Sequence, residues 1–182
     1  MVFLLRREVY WQSLTKKAFE PNLLAICGRS THCSVARMIM EVLKIDKSSY
    51  HELIEIWEAS VRATHDFLPE ANVIELKPLI LEHYFDAVEL RCAKEKDEIV
   101  GFIGVADSNI EMLFIHPDYF GNGIGKQLTL YALDHLGATK VDVNEQNPKA
   151  IGFYLNMGFK QVGRSELDGQ GNPFPLIHMS LS

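Results

Sequence analysis

The sequence predicts an α/β domain behind a short arm that lies outside the fold. Three observations carry this expectation. From residue 41 onward, alternating runs and helical stripes follow one another in the order β-α-α-β-β-β-α-β-α-β-β. At 116–126 a glycine-rich turn joins an apolar strand to an amphipathic helix. Residues 1–37, by contrast, show no sustained period. The 182 residues amount to one ordinary domain or slightly more, divided here into an extension at 1–37 and a domain at 38–182.

Residues 41–45 alternate as a short strand. Ser48 or Ser49 offers an N-cap, and Leu53, Ile56, Trp57 and Val61 then recur at helical spacing, which predicts a helix over 50–63. A second helix is expected over 71–85, weakened at Pro78. Strands follow at 87–93, 99–106 and 110–115, the first two joined by a polar turn at 94–97. The 99–106 strand is apolar on both faces and belongs in the sheet centre. Ile124, Leu128, Tyr131, Ala132 and Leu136 form the stripe of a helix that stops at Gly137. A strand at 140–144 leads to Asn147-Pro148, an N-cap followed by proline at the first helical position, and that helix runs to Met157. Strands at 159–167 and 176–181 flank a turn rich in Gly, Asp and Asn.

Composition narrows the function classes. Residues 1–37 hold six Lys/Arg and two Asp/Glu, so the remaining residues hold 12 and 22. An acidic body repels phosphate backbones, which argues against nucleic acid and favours a cationic acceptor such as an amine. No apolar run approaches the ~18 residues of a membrane helix, and the run at 23–27 is too short for a signal-peptide core, so a cytoplasmic protein is expected. Cys27, His32 and Cys33 lie close together, but no second pair completes a zinc site, and no metal is expected. The sequence leaves a homodimer open.

The strongest local signal is 116–126, His-Pro-Asp-Tyr-Phe-Gly-Asn-Gly-Ile-Gly-Lys. Glycines let the backbone turn its N–H groups toward an anion, and the helix start that follows adds unpaired N–H groups and partial positive charge. A phosphate or pyrophosphate fits such a site. A dinucleotide fingerprint would need glycine where Lys126 stands, and a P-loop would need Gly for Phe120 and Ser or Thr for Gln127.

Residues 113–125 resemble the acyl-CoA-binding motif of the GNAT acetyltransferases, [QR]-x-x-G-x-[GA]. Downstream, 147–159 resembles that family's second motif, N-x-x-A-x-x-F-Y-x-x-x-G-F, at Asn147, Ala150, Phe153, Tyr154, Gly158 and Phe159. Segments 63–68, 144–147 and 163–166 are similar to the YjaB-like group of bacterial GNAT proteins. The resemblance spans 41–182 and none of 1–37. It implies a GNAT fold: a mixed, mostly antiparallel central sheet with helices on both faces, splayed beside the fourth strand to admit pantetheine.

It also implies roles. Acetyl-CoA is the cosubstrate, its pyrophosphate held by Gly121, Asn122, Gly123, Ile124, Gly125 and Lys126. The backbone of Leu113, Phe114 and Ile115 takes the pantetheine arm and the oxyanion, with Asn144 and Asn147 beside it. Tyr154 is the expected acid for the leaving thiolate, or else a packed aromatic beside Phe153. Glu111 is the candidate base, or else an exposed strand carboxylate. His65 and Asp66 are candidate acceptor-binding residues, or else a loop making local hydrogen bonds. His116 and His178 read as surface or edge residues. Phe120 replaces the motif's Gln or Arg and removes a side-chain contact to phosphate. The expected activity is acetyl transfer to a primary amine on a small molecule or a protein. A CoA-binding sensor without turnover is the alternative.

Overall fold

The computed structural model describes residues 41–181. The arm at 1–37 and the Cys27/His32/Cys33 group lie outside them. The elements run β1 (Glu41–Lys44), α1 (Tyr50–Thr64), α2 (Glu70–Leu79), β2 (Glu89–Glu95), β3 (Glu98–Ala106), β4 (Asn109–Ile115), α3 (Ile124–His135), β5 (Lys140–Asn144), α4 (Pro148–Asn156), β6 (Lys160–Ser165) and β7 (Leu176–Ser180). The seven strands form one sheet in the order β1-β2-β3-β4-β5-β7-β6. Every neighbouring pair is antiparallel except β4 with β5.

Each sheet face buries its own core. On one face Val100, Ile103, Val141 and Val143 pack against Ile124, Leu128 and Ala132 of α3 and against Tyr154 of α4. On the other, Phe102, Met112 and Phe114 pack against Leu53, Trp57 and Val61 of α1 and against Phe85. Burying one such large side chain stabilises the fold by roughly 1.5–3 kcal/mol. β3 is buried along nearly its whole length between β2 and β4, as its two apolar faces require.

Four local expectations change. Ser49 occupies the α1 N-cap position but makes no side-chain cap bond, because a 3₁₀ turn at Lys47–Ser49 runs straight into the helix. The second helix also ends earlier than expected, at Leu79. Pro78 has no N–H for the helical ladder, and the chain continues as a π-helical turn at Ile80–Tyr84 and a 3₁₀ turn at Phe85–Ala87. That last turn takes up Ala87, so β2 begins two residues late. The β6 strand is also shorter than 159–167. Phe159 is buried in the core after the helix, and Leu167 is half exposed in the turn.

β4 carries a bulge that matters for the site. Its register with β3 pairs Ile110 with Val105 but Met112 with Gly104, which leaves Glu111 as the extra residue. Beyond the bulge Met112 and Phe114 face α1, whereas Leu113 belongs to the core on the α3 side.

Candidate active site

β4 and β5 pair only at Asn109↔Lys140 and Ile110↔Val141, then part. Past Ile110, alternate backbone groups on the β5 side of β4 have no ladder partner among the described residues. A cleft of about 330 Å³ opens there. Leu113 and Ile115 of β4 form one wall, and Asn147, Ala150, Phe153 and Tyr154 of α4 form the other. Phe120, Gly121 and Gly125 stand at one end, and Ser60 and Thr64 of α1 with Lys149 of α4 complete the lining.

The glycine loop turns sharply into the start of α3. Gly121 and Gly123 both take φ of 81°, the left-handed region in which a side chain is strained. Gly123 caps α3, and the first helical bond closes from the Gln127 N–H to the Gly123 carbonyl at 3.1 Å. The N–H groups of Gly123, Ile124, Gly125 and Lys126 therefore precede the helical ladder and remain available to a ligand.

Tyr154 is 1% exposed, packed edge-on against Phe153 and Phe159 with ring centroids at 5.0 and 5.4 Å. Its hydroxyl is buried and has no hydrogen-bond partner among the described residues. An orphaned buried hydroxyl costs about 1–3 kcal/mol, which a ligand in the cleft would offset by supplying a partner. Burial holds the phenol above its ordinary pKa, so it is protonated at neutral pH. The orphaned hydroxyl and the free loop amides together fit a ligand with a proton-accepting group at one end and an anionic group at the other.

A second, smaller cavity of about 120 Å³ lies between the α1–α2 connection and the β6–β7 turn. Leu68, Leu76 and Phe174 give it apolar walls, and Glu75 and Asp168 place carboxylates around it. The turn is pinned by Asp168, whose Oδ1 accepts from the Gln170 and Asn172 N–H groups at 2.8 Å each. Gln170 Nε2 then donates to the Tyr84 hydroxyl at 2.8 Å. His65 lines this cavity and its neighbour Thr64 lines the cleft, so the two spaces lie beside each other. Thr64 Oγ1 donates its one proton to the Ser60 carbonyl at 2.7 Å. It can therefore only accept from His65 Nδ1–H, 2.9 Å away, which leaves Nε2 with the lone pair. Burial pushes the His65 pKa down to about 3, so the ring is neutral at physiological pH.

This architecture has known counterparts. A family model described as "Acetyltransferase (GNAT) domain" matches residues 75–182. The chain belongs to the GNAT acetyltransferase family. It is 43% identical over 141 residues to the peptidyl-lysine N-acetyltransferase YjaB of Salmonella typhimurium, covering 76% of this chain and 97% of that protein. YjaB of Escherichia coli is 38% identical over 143 residues, covering 79% and 97%. The solution structure of its apo form superposes with a TM-score of 0.71 over 79% of this chain and 97% of that one. The fold is shared at 20% identity by a PaiA N-acetyltransferase from Thermoplasma acidophilum in complex with coenzyme A, with a TM-score of 0.64 over 80% of this chain and 100% of that one. As a GNAT enzyme the chain uses acetyl-CoA to acetylate an amine.

Against this GNAT frame, the residues singled out from sequence divide. Leu113, Ile115, Gly121, Gly125, Asn147 and Tyr154 meet at the cleft. Asn122 and Lys126 are exposed on the loop, and Ile124 is buried beneath it, so those three contribute backbone or rim. The Phe114 side chain stacks on Phe102 at 5.4 Å in the α1-side core, which leaves only its backbone for the cleft. Asn147 caps α4 through Oδ1, which accepts from the Ala150 N–H at 3.0 Å, and also lines the cleft. Asn144 lines the smaller cavity rather than the cleft.

His65 lines the smaller cavity, whereas Asp66 is exposed and lines neither space. Glu111 is 4% exposed, not the exposed carboxylate weighed as its alternative. It accepts from Asn109 Nδ2 at 2.9 Å and lines neither cavity, because the bulge sets it apart from Leu113 and Ile115. Ser60, Thr64, Glu75 and Lys149 were missed. Ser60 and Thr64 sit four apart on one face of α1, a spacing legible in the sequence that apolar periodicity alone passes over.

Proposed function

We propose that this chain acetylates the ε-amine of a protein lysine in the cytoplasm. The observation that carries the reading is the buried hydroxyl of Tyr154, without a hydrogen-bond partner among the described residues, in the cleft where β4 and β5 part, next to the glycine loop. Acetyl-CoA supplies the acetyl group as a thioester. The loop amides of Gly123, Ile124, Gly125 and Lys126 bind its pyrophosphate, with Lys149 as a cation on the rim. Unpaired β4 backbone between Met112 and Ile115 orients the pantetheine arm and offers N–H groups to developing negative charge. Tyr154 holds a proton at its Oη for the departing sulfur.

The acceptor reading rests on the smaller cavity. Apolar walls suit the four methylenes of a lysine, and Glu75 and Asp168 attract its ammonium from solution. Neutral His65 adds no repulsive charge. The curated YjaB relatives, named as peptidyl-lysine N-acetyltransferases, support the same class. With Glu111 lining neither space, the amine reaches the cleft already deprotonated by solvent. A cytoplasmic setting agrees with Cys92, a buried free thiol.

The acceptor class is tested with three substrates and acetyl-CoA. One peptide carries a single lysine and a blocked N-terminus, another a free N-terminus and no lysine, and the third substrate is a polyamine. Mass spectrometry is expected to find the acetyl group on the lysine peptide alone. Acetylation of only the free N-terminus or the polyamine would replace the lysine reading.

A further inference from the structure

His178 is not the edge residue its position suggested. Its Nδ1 lies 2.5 Å from Asp142 Oδ1, and its Nε2 lies 2.7 Å from Ser165 Oγ. The carboxylate can only accept, so Nδ1 donates, and in that tautomer Nε2 offers its lone pair to the Ser165 hydroxyl. That is the arrangement in which an imidazole activates a serine and a carboxylate fixes the tautomer. We propose that Asp142, His178 and Ser165 form a nucleophilic relay separate from the acetyl-transfer site, through which Ser165 reacts with small activated esters.

Strand register builds the relay. Asp142 stands directly opposite His178 across β5 and β7, and Gly163 stands opposite His178 across β7 and β6. A Cβ at Gly163 would come within 3.2 Å of the His178 ring, so glycine leaves the imidazole room to lie across β6 toward Ser165. None of the three residues lines the cleft or the smaller cavity. The His178 side chain retains 27% of its exposure, and β6 has no strand on its outer side among the described residues. An electrophile reaches Ser165 from that open edge. Alternate N–H groups along an edge strand are unpaired and are the donors available to a developing oxyanion.

The step balances without a further reactant. Ser165 Oγ adds to the carbonyl carbon of an aryl ester and passes its proton to His178 Nε2. The acyl–aryloxide bond breaks, and the aryloxide leaves with the electron pair. His178 returns the proton to the leaving group or to solvent, and water then hydrolyses the acyl-serine by the same route reversed.

The test incubates the full chain with p-nitrophenyl acetate in the absence of acetyl-CoA. A burst of p-nitrophenolate approaching one equivalent is expected, with one acetyl group on the peptide that contains Ser165. Ser165→Ala and His178→Gln are expected to slow the burst by roughly 10²–10⁴-fold, the range for a positioned base. Ser165→Ala keeps the melting temperature and its acetyl transfer from acetyl-CoA, and Tyr154→Phe keeps the burst. Equal bursts from the wild type and Ser165→Ala, or acetyl groups found on lysines and not on Ser165, overturn the relay. A lowered melting temperature in Ser165→Ala with no acyl-serine in the wild type also overturns it, leaving the three side chains as a tie between strands. Because the probe bypasses CoA, failure here leaves the lysine reading intact, and failure of that reading leaves this one intact.

Discussion

Tyr154 is where packing and chemistry meet. Phe153 and Phe159 hold its ring, while its hydroxyl is left without a partner among the described residues. Tyr154→Phe keeps the ring contacts and removes only the proton. It is expected to lower kcat by roughly 10²–10⁴-fold with CoA affinity nearly unchanged, measured by steady-state kinetics and calorimetry. Joint loss of stability and CoA affinity would mark it as a packing residue instead. His65 yields a prediction of a different kind. Its folded pKa lies below its unfolded value, so the native state binds fewer protons than the unfolded chain between pH 6.5 and about 3. The stability held above pH 6.5 is therefore lost as pH falls through that window. From pH 7 to 5 the wild type is expected to lose about 2 kcal/mol more than His65→Gln in denaturant titrations. Equal losses would show that the ring is not held neutral by burial. Tyr154 was legible because a motif fixes its place. Glu111 was not, because one bulged residue changes what a strand position faces, and a bulge leaves no mark in alternation.

At the scale of elements, the loop before α3 joins a backbone requirement to the proposed seat of CoA. Gly123 takes a left-handed φ of 81° and also precedes the unpaired amides of the helix start. Any side chain there costs about 1–2 kcal/mol of strain. Gly137, at the other end of α3 with φ of 64°, carries the same strain far from the cleft and serves as the control. Calorimetry is expected to find CoA binding weakened at least about tenfold by Gly123→Ala and unchanged by Gly137→Ala, with similar falls in melting temperature. Equal affinities for both variants would remove the loop from the site. Phe120 is exposed at the cleft end, and Phe120→Arg is expected to tighten CoA roughly tenfold by restoring a charged contact. The strands, α3 and α4 were legible because their apolar periods and caps are local. The end of α2 was blurred because Pro78 permits a π-helical turn that keeps the chain helical in outline. The smaller cavity was invisible in sequence, since it joins α1–α2 to a turn about 100 residues later.

For the molecule as a whole, the described elements already complete the seven-stranded sheet from Glu41 onward. We therefore expect a chain starting at Met40 to keep the melting temperature and CoA affinity of the full chain, read by calorimetry. A loss of several degrees would show that residues 1–37 stabilise the domain. The central claim is that β4 and β5 part to seat acetyl-CoA between the glycine loop and the proton of Tyr154, and that the acetyl group then moves to an amine. The most direct measurement is free thiol released from acetyl-CoA with a single-lysine peptide, followed together with the peptide's mass. Thiol and acetylated peptide appearing in equal amounts, and both nearly abolished by Tyr154→Phe, are the predicted result. Tight binding of acetyl-CoA with no thiol release from any amine would contradict it and identify a CoA-binding module without turnover.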